Sequence, residues 1–147
     1  MDEKTRRDEE TRLLAAIADA LPQLEGLWQN VEGVWNYEDS IYRFYHQSFK
    51  VFRLQDEITQ VVEALRGLAP HLPLNPWFMQ IVAESTAEQF SPEVNKRWLQ
   101  ATRPIVEAFF HARFFLQMVC KYGKELKEPP EVLPSGWAAV LYLYGLR

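Results

Sequence analysis

Residues 105–121, IVEAFFHARFFLQMVCK, decide the fold that we predict for this chain. No proline or glycine interrupts the stretch, and its apolar side chains cover most of the circumference of a helix. A helix of this kind is buried at the centre of a bundle. The stretch therefore predicts a central helix over about 104–122, restarted or kinked at Pro104 and ended by a cap near Gly123.

Toward the C-terminus, three prolines at 129, 130 and 134 predict an extended connector, after which Ser135 or Gly136 begins a final short helix. Its residues 137–144 read WAAVLYLY and are apolar on every side. Such a helix needs burial on all sides, in this chain or against another. Since Trp and Tyr are enriched at protein interfaces, we expect this helix to supply the best candidate interface residues, which are Trp137, Leu141, Tyr142 and Tyr144.

Toward the N-terminus, a second long helix is predicted over about 40–68, because no proline occurs there and the apolar residues fall on one broad face. Prolines at 70, 73 and 76 then predict an extended connector. Asn75-Pro76 and Ser91-Pro92 each combine a good N-cap residue with a proline at the first helical position. Two shorter helices are therefore expected between the two long ones.

The first 34 residues predict one further helical region. Residues 3–21 are rich in good helix formers and carry an apolar stripe, Pro22 marks a boundary or a kink, and Gly33 is a plausible end. Residues 1–12 are dominated by charged side chains and predict a mobile N-terminal extension.

These elements together predict a single all-α domain over residues 1–147. No segment alternates apolar and polar residues in the manner of a strand, and no internal repeat is present. The architecture is an irregular bundle of five to seven helices. Its two long central helices are predicted at about 40–68 and 104–122.

The amino-acid composition excludes several classes of partner and site. The formal net charge is −4, and neither half of the chain has the basic excess that phosphate-backbone binding needs, so we expect no nucleic acid partner. No apolar run reaches the ~20 residues of a transmembrane helix, so we expect no membrane partner. The single cysteine, Cys120, allows no intrachain disulfide and no cysteine-based zinc site, and its apolar neighbours indicate a buried thiol. A cytoplasmic protein is the expectation.

Three polar residues are candidates for chemistry: His46, Glu107 and His111. Glu107 and His111 are one helical turn apart, and His46 lies at the border of the apolar face of the 40–68 helix. A histidine and a carboxylate suit a divalent metal or acid–base chemistry. The alternative is structural, with the histidines bordering the core. Glu84 and Glu88 have the same spacing, for which a solvated acidic face is the common explanation.

Recognised catalytic patterns are absent from the sequence. There is no His-Glu-x-x-His and no glycine-rich phosphate loop. Ferritin-like di-iron bundles use Glu-x-x-His, and neither Glu38 with His46 nor Glu107 with His111 has that spacing. No cofactor is therefore predicted, although a divalent metal remains an alternative.

The leading hypothesis is a non-catalytic helical domain that forms a homo-oligomer, with a homodimer as the commonest form, or binds another protein. It depends on the abundance of aromatic residues, 14% of the chain. One alternative is a metal-binding helical-bundle enzyme that uses His46, Glu107 and His111. The other is a domain that binds an apolar small molecule between its long helices.

Overall fold

The computed structural model describes residues 1–37, 48–86 and 98–147, and this part of the chain forms five α-helices and no strand. The predicted all-α class is therefore confirmed. The second of the two Asn/Ser-Pro caps, at Ser91-Pro92, lies outside the described residues. In chain order the helices are α1 (Glu3–Tyr37), α2 (Ser48–Leu68), α3 (Pro76–Ser85), α4 (Trp98–Glu125) and α5 (Ser135–Leu143).

The most apolar helix, α4, occupies the centre of the bundle. It packs against each of the other four described helices, and α1 also packs against α2. Ala108, Leu116 and Val119 of α4 are fully buried, as the apolar stretch at 105–121 predicts. The second long helix, α2, lies against both α1 and α4 and ends at Leu68 as expected, while its predicted first residues, 41–47, lie outside the described part.

A boundary or a kink was predicted at Pro22. The boundary is wrong, because α1 continues through this proline as a single helix of 35 residues. Apolar residues on both sides of Pro22 keep the helix against the bundle. Leu13, Ile17, Leu24 and Val31 are all buried. Burial of these side chains offsets the ~3 kcal/mol that a proline costs inside a helix. The end expected at Gly33 is wrong for the same helix, which extends to Tyr37.

Two expectations about α4 also need correction. The helix does not restart at Pro104, which lies inside it, and it does not end at Gly123. Gly123 instead lets α1 approach α4 closely, because a Cβ atom at this position would lie 2.6 Å from Cγ2 of Ile17. This glycine is therefore required by packing between helices, which a cap signal read from one segment does not reveal.

Hydrogen bonds define the predicted N-cap of α3 and a C-terminal cap of α5 that was not predicted from the sequence. Asn75 accepts a bond from the Trp77 N–H at its Oδ1 atom over 2.9 Å, with Pro76 at the first helical position. At the end of α5, Gly145 has a φ of 70°, and the Leu146 N–H donates to the Leu141 carbonyl over 2.9 Å in a Schellman motif. The Asn75 N–H donates to the Leu143 carbonyl over 2.7 Å, which joins the start of α3 to the end of α5.

The charged N-terminal residues belong to α1 from Glu3 onward. Glu10 is buried, and one of its oxygens lies 3.6 Å from Nη1 of Arg6. Glu9 reaches the connector between α2 and α3, where its Oε2 atom lies 2.6 Å from Nε2 of His71. None of the described helices is both long enough and apolar enough to cross a bilayer.

Candidate functional site

Glu107 and His111 share one face of α4, as their spacing predicts, but their side chains have different environments. Glu107 is exposed, and His111 is half-buried under Trp77 of α3. The two rings meet edge to face, with centroids 4.8 Å apart and planes at 77°. Within the described part of the chain, no hydrogen bond or ion pair joins Glu107 to His111. Among the described residues, His111 therefore contacts the ring of Trp77 and not the carboxylate of Glu107.

The third candidate ligand, His46, lies outside the described residues, and so do Glu38 and Glu88. Among the residues that are described, no three His, Cys, Asp or Glu side chains gather in a way that could hold a metal ion. A site uniting His46 with Glu107 and His111 stays a prediction. Glu84, the described member of the acidic pair, is exposed on α3, in keeping with a solvated face.

The four candidate interface residues of α5 have two different environments. Trp137, Leu141 and Tyr144 are buried within this chain, and only Tyr142 is exposed, at 55%. Trp137 packs against Tyr122 of α4 with ring centroids 5.5 Å apart. The Tyr144 hydroxyl donates to the Leu65 carbonyl of α2 over 2.5 Å. The apolar surface of α5 is therefore largely buried within its own bundle, and of these four residues only Tyr142 is open to solvent.

A different aromatic surface is open to solvent on α3 and α4. Trp77 is 49% exposed and Phe114 is 41% exposed, although both are large apolar side chains. His111 lies between them, since it contacts Trp77 and precedes Phe114 by one turn. Met118, half-buried one turn further along α4, continues the same face. We call these four residues the aromatic stripe.

The stripe continues into a groove between α4 and the start of α5. The groove has a volume of about 320 Å³ and is lined by Phe114, Met118, Lys121, Tyr122, Ser135 and Gly136. The spacing of 111, 114 and 118 along one helix face was the sequence signal for this surface. That spacing did not show that α5 covers only one end of the face and leaves the rest open.

Cys120 has the environment of an inert thiol. Burial raises its pKa to about 11, and the nearby Glu25 carboxylate adds to the increase. Lys124 acts in the opposite direction, but its ammonium is paired with Glu25 over 2.8 Å. A second groove of about 340 Å³ lies beside this residue, between α1 and α4. Since a thiol reacts as its thiolate, nucleophilic chemistry at Cys120 is disfavoured near neutral pH.

The contacts between α1 and α2 leave a third groove, of about 410 Å³. Small side chains from both helices line it, among them Ala16, Ala20 and Ala64, with Gly67 at the end of α2. Asp19 and Gln23 lie at its edge, so it is partly polar. It does not lie between the two helices that were predicted to enclose an apolar ligand.

No protein-family model, no curated protein sequence and no solved structure matches this chain. Of the described surfaces, the aromatic stripe is the one that combines large exposed apolar side chains with a continuous path over two helices.

Proposed function

We propose that this chain is a non-catalytic interaction domain that binds a protein partner through the aromatic stripe, Trp77–His111–Phe114–Met118. The observation that supports it is the exposure of Trp77 and Phe114 on one face, linked through His111. Continuous exposed apolar surface is uncommon in monomers and marks interaction sites. Trp and other aromatic side chains also dominate binding energy at interfaces.

A second copy of the chain is the first partner to test, because closed homodimers are the commonest assembly. The stripe comes from two helices of one chain, so two copies related by a twofold axis would present the same residues to each other. A cytoplasmic location belongs to the same proposal and agrees with a lone cysteine whose thiol is buried.

The burial of each side chain determines which variants can test the interface without unfolding the domain. Removal of residues 132–147 would take away core side chains such as Trp137 and Tyr144, so it would unfold the domain rather than expose an interface. Phe114→Ser changes a side chain that is partly in solvent, and Tyr142→Ser tests the exposed residue of α5 in the same way. Val132, which is 84% exposed in the connector before α5, provides a matched apolar control as Val132→Ser.

The measurement is sedimentation equilibrium over a range of concentrations. We expect the wild-type chain to dimerise, and Phe114→Ser to weaken the dimer by at least about tenfold because a central aromatic anchor is lost. Val132→Ser should leave the dissociation constant unchanged. A wild-type chain that stays monomeric, or a Phe114→Ser variant that dimerises equally well, would rule out the homodimer through this surface.

A different partner is tested by a photo-crosslinking amino acid placed at position 114, with position 132 as the control. A discrete protein adduct at 114 and none at 132, in the cells that produce the chain, would support the interaction domain. Failure to form any adduct at 114, together with a monomeric chain, would refute the proposed function.

A further inference from the structure

The first turn of α5 has unsatisfied hydrogen-bond donors. Pro134 precedes the helix and supplies no side-chain cap. The first helical bond comes from the Ala138 N–H to the Pro134 carbonyl, over 3.0 Å. The preceding N–H groups, of Ser135, Gly136 and Trp137, have no acceptor among the residues that the structure describes. These groups also carry the positive end of the helix dipole, which favours an anion.

The hydroxyl group of a mostly buried tyrosine, Tyr122, lies beside the same turn. Tyr122 is only 4% exposed, and it lines the groove together with Ser135 and Gly136. A Cβ atom on Gly136 would lie 2.8 Å from the Tyr122 hydroxyl oxygen, so this oxygen is directly beside the backbone of α5. Within the described ranges, no group forms a hydrogen bond with it. The Tyr122 hydroxyl group is therefore free to donate a hydrogen bond to an oxyanion in the groove.

The ammonium group of Lys121 lies at the edge of the groove. Lys121 is exposed, and its Nζ atom lies 5.7 Å from the centroid of the Tyr122 ring. No carboxylate of the described part pairs with Lys121, whereas Lys124, three residues later, is paired with Glu25. The charge of Lys121 is therefore available to a ligand.

The floor of the groove is apolar. Phe114 and Met118 present their side chains beside the donors of α5. A volume of about 320 Å³ is at the lower end of the range typical for small-molecule sites. A ligand here would place an oxyanion at the start of α5 and an apolar ring over Phe114 and Met118.

We infer that the groove between α4 and α5 binds a small organic oxyanion, a phosphate or a carboxylate attached to an aromatic or apolar group. Ser135, Gly136, the Tyr122 hydroxyl and Lys121 hold the oxyanion, and Phe114 and Met118 contact the apolar part. The site shares Phe114 and Met118 with the aromatic stripe, but its polar groups lie beyond the end of the stripe, so variants of those groups test it separately from the proposed interaction function.

The test is a titration of the ¹⁵N-labelled chain, followed by the amide resonances of Ser135, Gly136 and Trp137. The probes are phenyl phosphate, phenylacetate, inorganic phosphate and benzyl alcohol. We expect saturable shifts of these amides with phenyl phosphate or phenylacetate, and the tighter of the two identifies the oxyanion. Inorganic phosphate should bind more weakly because it lacks the ring, and benzyl alcohol because it lacks the charge.

Three variants separate the contributions. Tyr122→Phe removes only the hydroxyl group, and Lys121→Gln removes only the exposed charge, so each should weaken binding by about tenfold. Lys124→Gln has the same change of net charge on the same helix, and it should change the affinity by less than about twofold. Lys121→Gln should also leave sedimentation unchanged, which separates this inference from the proposed function.

The opposite results would overturn the inference. One such result is that neither organic anion causes saturable shifts at ~10 mM. Another is that Lys121→Gln and Lys124→Gln weaken anion binding equally, which would show only general charge attraction. Equal affinity for inorganic phosphate and phenyl phosphate would overturn the role of Phe114 and Met118.

Discussion

The Tyr144 side chain packs in the core through its ring and forms a hydrogen bond to another helix through its hydroxyl group. It is almost completely buried, and its hydroxyl donates to the Leu65 carbonyl of α2. The bond fixes the end of α5 against a helix that lies far away in the sequence. Burial also raises the pKa of the Tyr144 hydroxyl above its ordinary value, because the phenolate would lose its hydration.

Alkaline pH should therefore destabilise the fold. A folded pKa that is raised above the unfolded value gives stability that is complete below the unfolded pKa and is lost as pH rises. The unfolded values are 9.0 for Cys120 and 10.0 for Tyr144, so the loss begins near pH 9. Above pH 10 only the unfolded state loses the Tyr144 proton, so the free energy of unfolding falls by roughly 1 kcal/mol for each further pH unit.

Urea unfolding at pH 8, 9.5 and 11 measures this effect. Tyr144→Phe is less stable at pH 8, because the Leu65 carbonyl loses its donor, but its stability should fall less between pH 9.5 and 11 than that of the wild type. Tyr142→Phe, an exposed tyrosine on the same helix, is the control and should follow the wild-type profile. Parallel profiles for Tyr144→Phe and the wild type would contradict the argument.

At the scale of the element, α1 is a helix that tertiary contacts keep continuous through a proline. Pro22 is exposed, so its ring contributes little packing, while its missing N–H still removes one helical hydrogen bond. Gly123 has the complementary role in α4, where the absence of a side chain allows contact with Ile17. Both features depend on how α1 lies against α4.

Pro22→Ala should stabilise the domain by about 2 kcal/mol. The interior proline costs about 3 kcal/mol relative to alanine. Part of this gain in stability is cancelled, because the unfolded chain has more conformational freedom without the proline. The free energy of unfolding in guanidinium chloride is the measurement. Pro76→Ala, at the first position of α3 where proline is tolerated, should change that free energy by less than about 1 kcal/mol. If Pro22→Ala is neutral or destabilising, the proline does not strain α1.

At the scale of the whole molecule, the sequence predicts the helical class and the central position of α4, because both follow from local periodicity and composition. The ends of α1 and α4 were mispredicted at Pro22, Gly33 and Gly123, where contacts between distant segments override local signals. The same reason applies to the site. The environment of Trp137 and the exposure of Phe114 depend on where α5 covers α4, and no single segment encodes that.

The central position of α4 has a consequence for amide hydrogen exchange. Opening of α4 requires the loss of its contacts with all four other described helices, whereas α3 and α5 have their main contacts with α4 alone. The amides of buried residues such as Leu116 and Val119 should therefore exchange only through global unfolding, and those of the short helices α3 and α5 through smaller openings at low denaturant. The slowest-exchanging amide protons of the native protein should therefore lie in α4, within the stretch 105–121 that determines the fold.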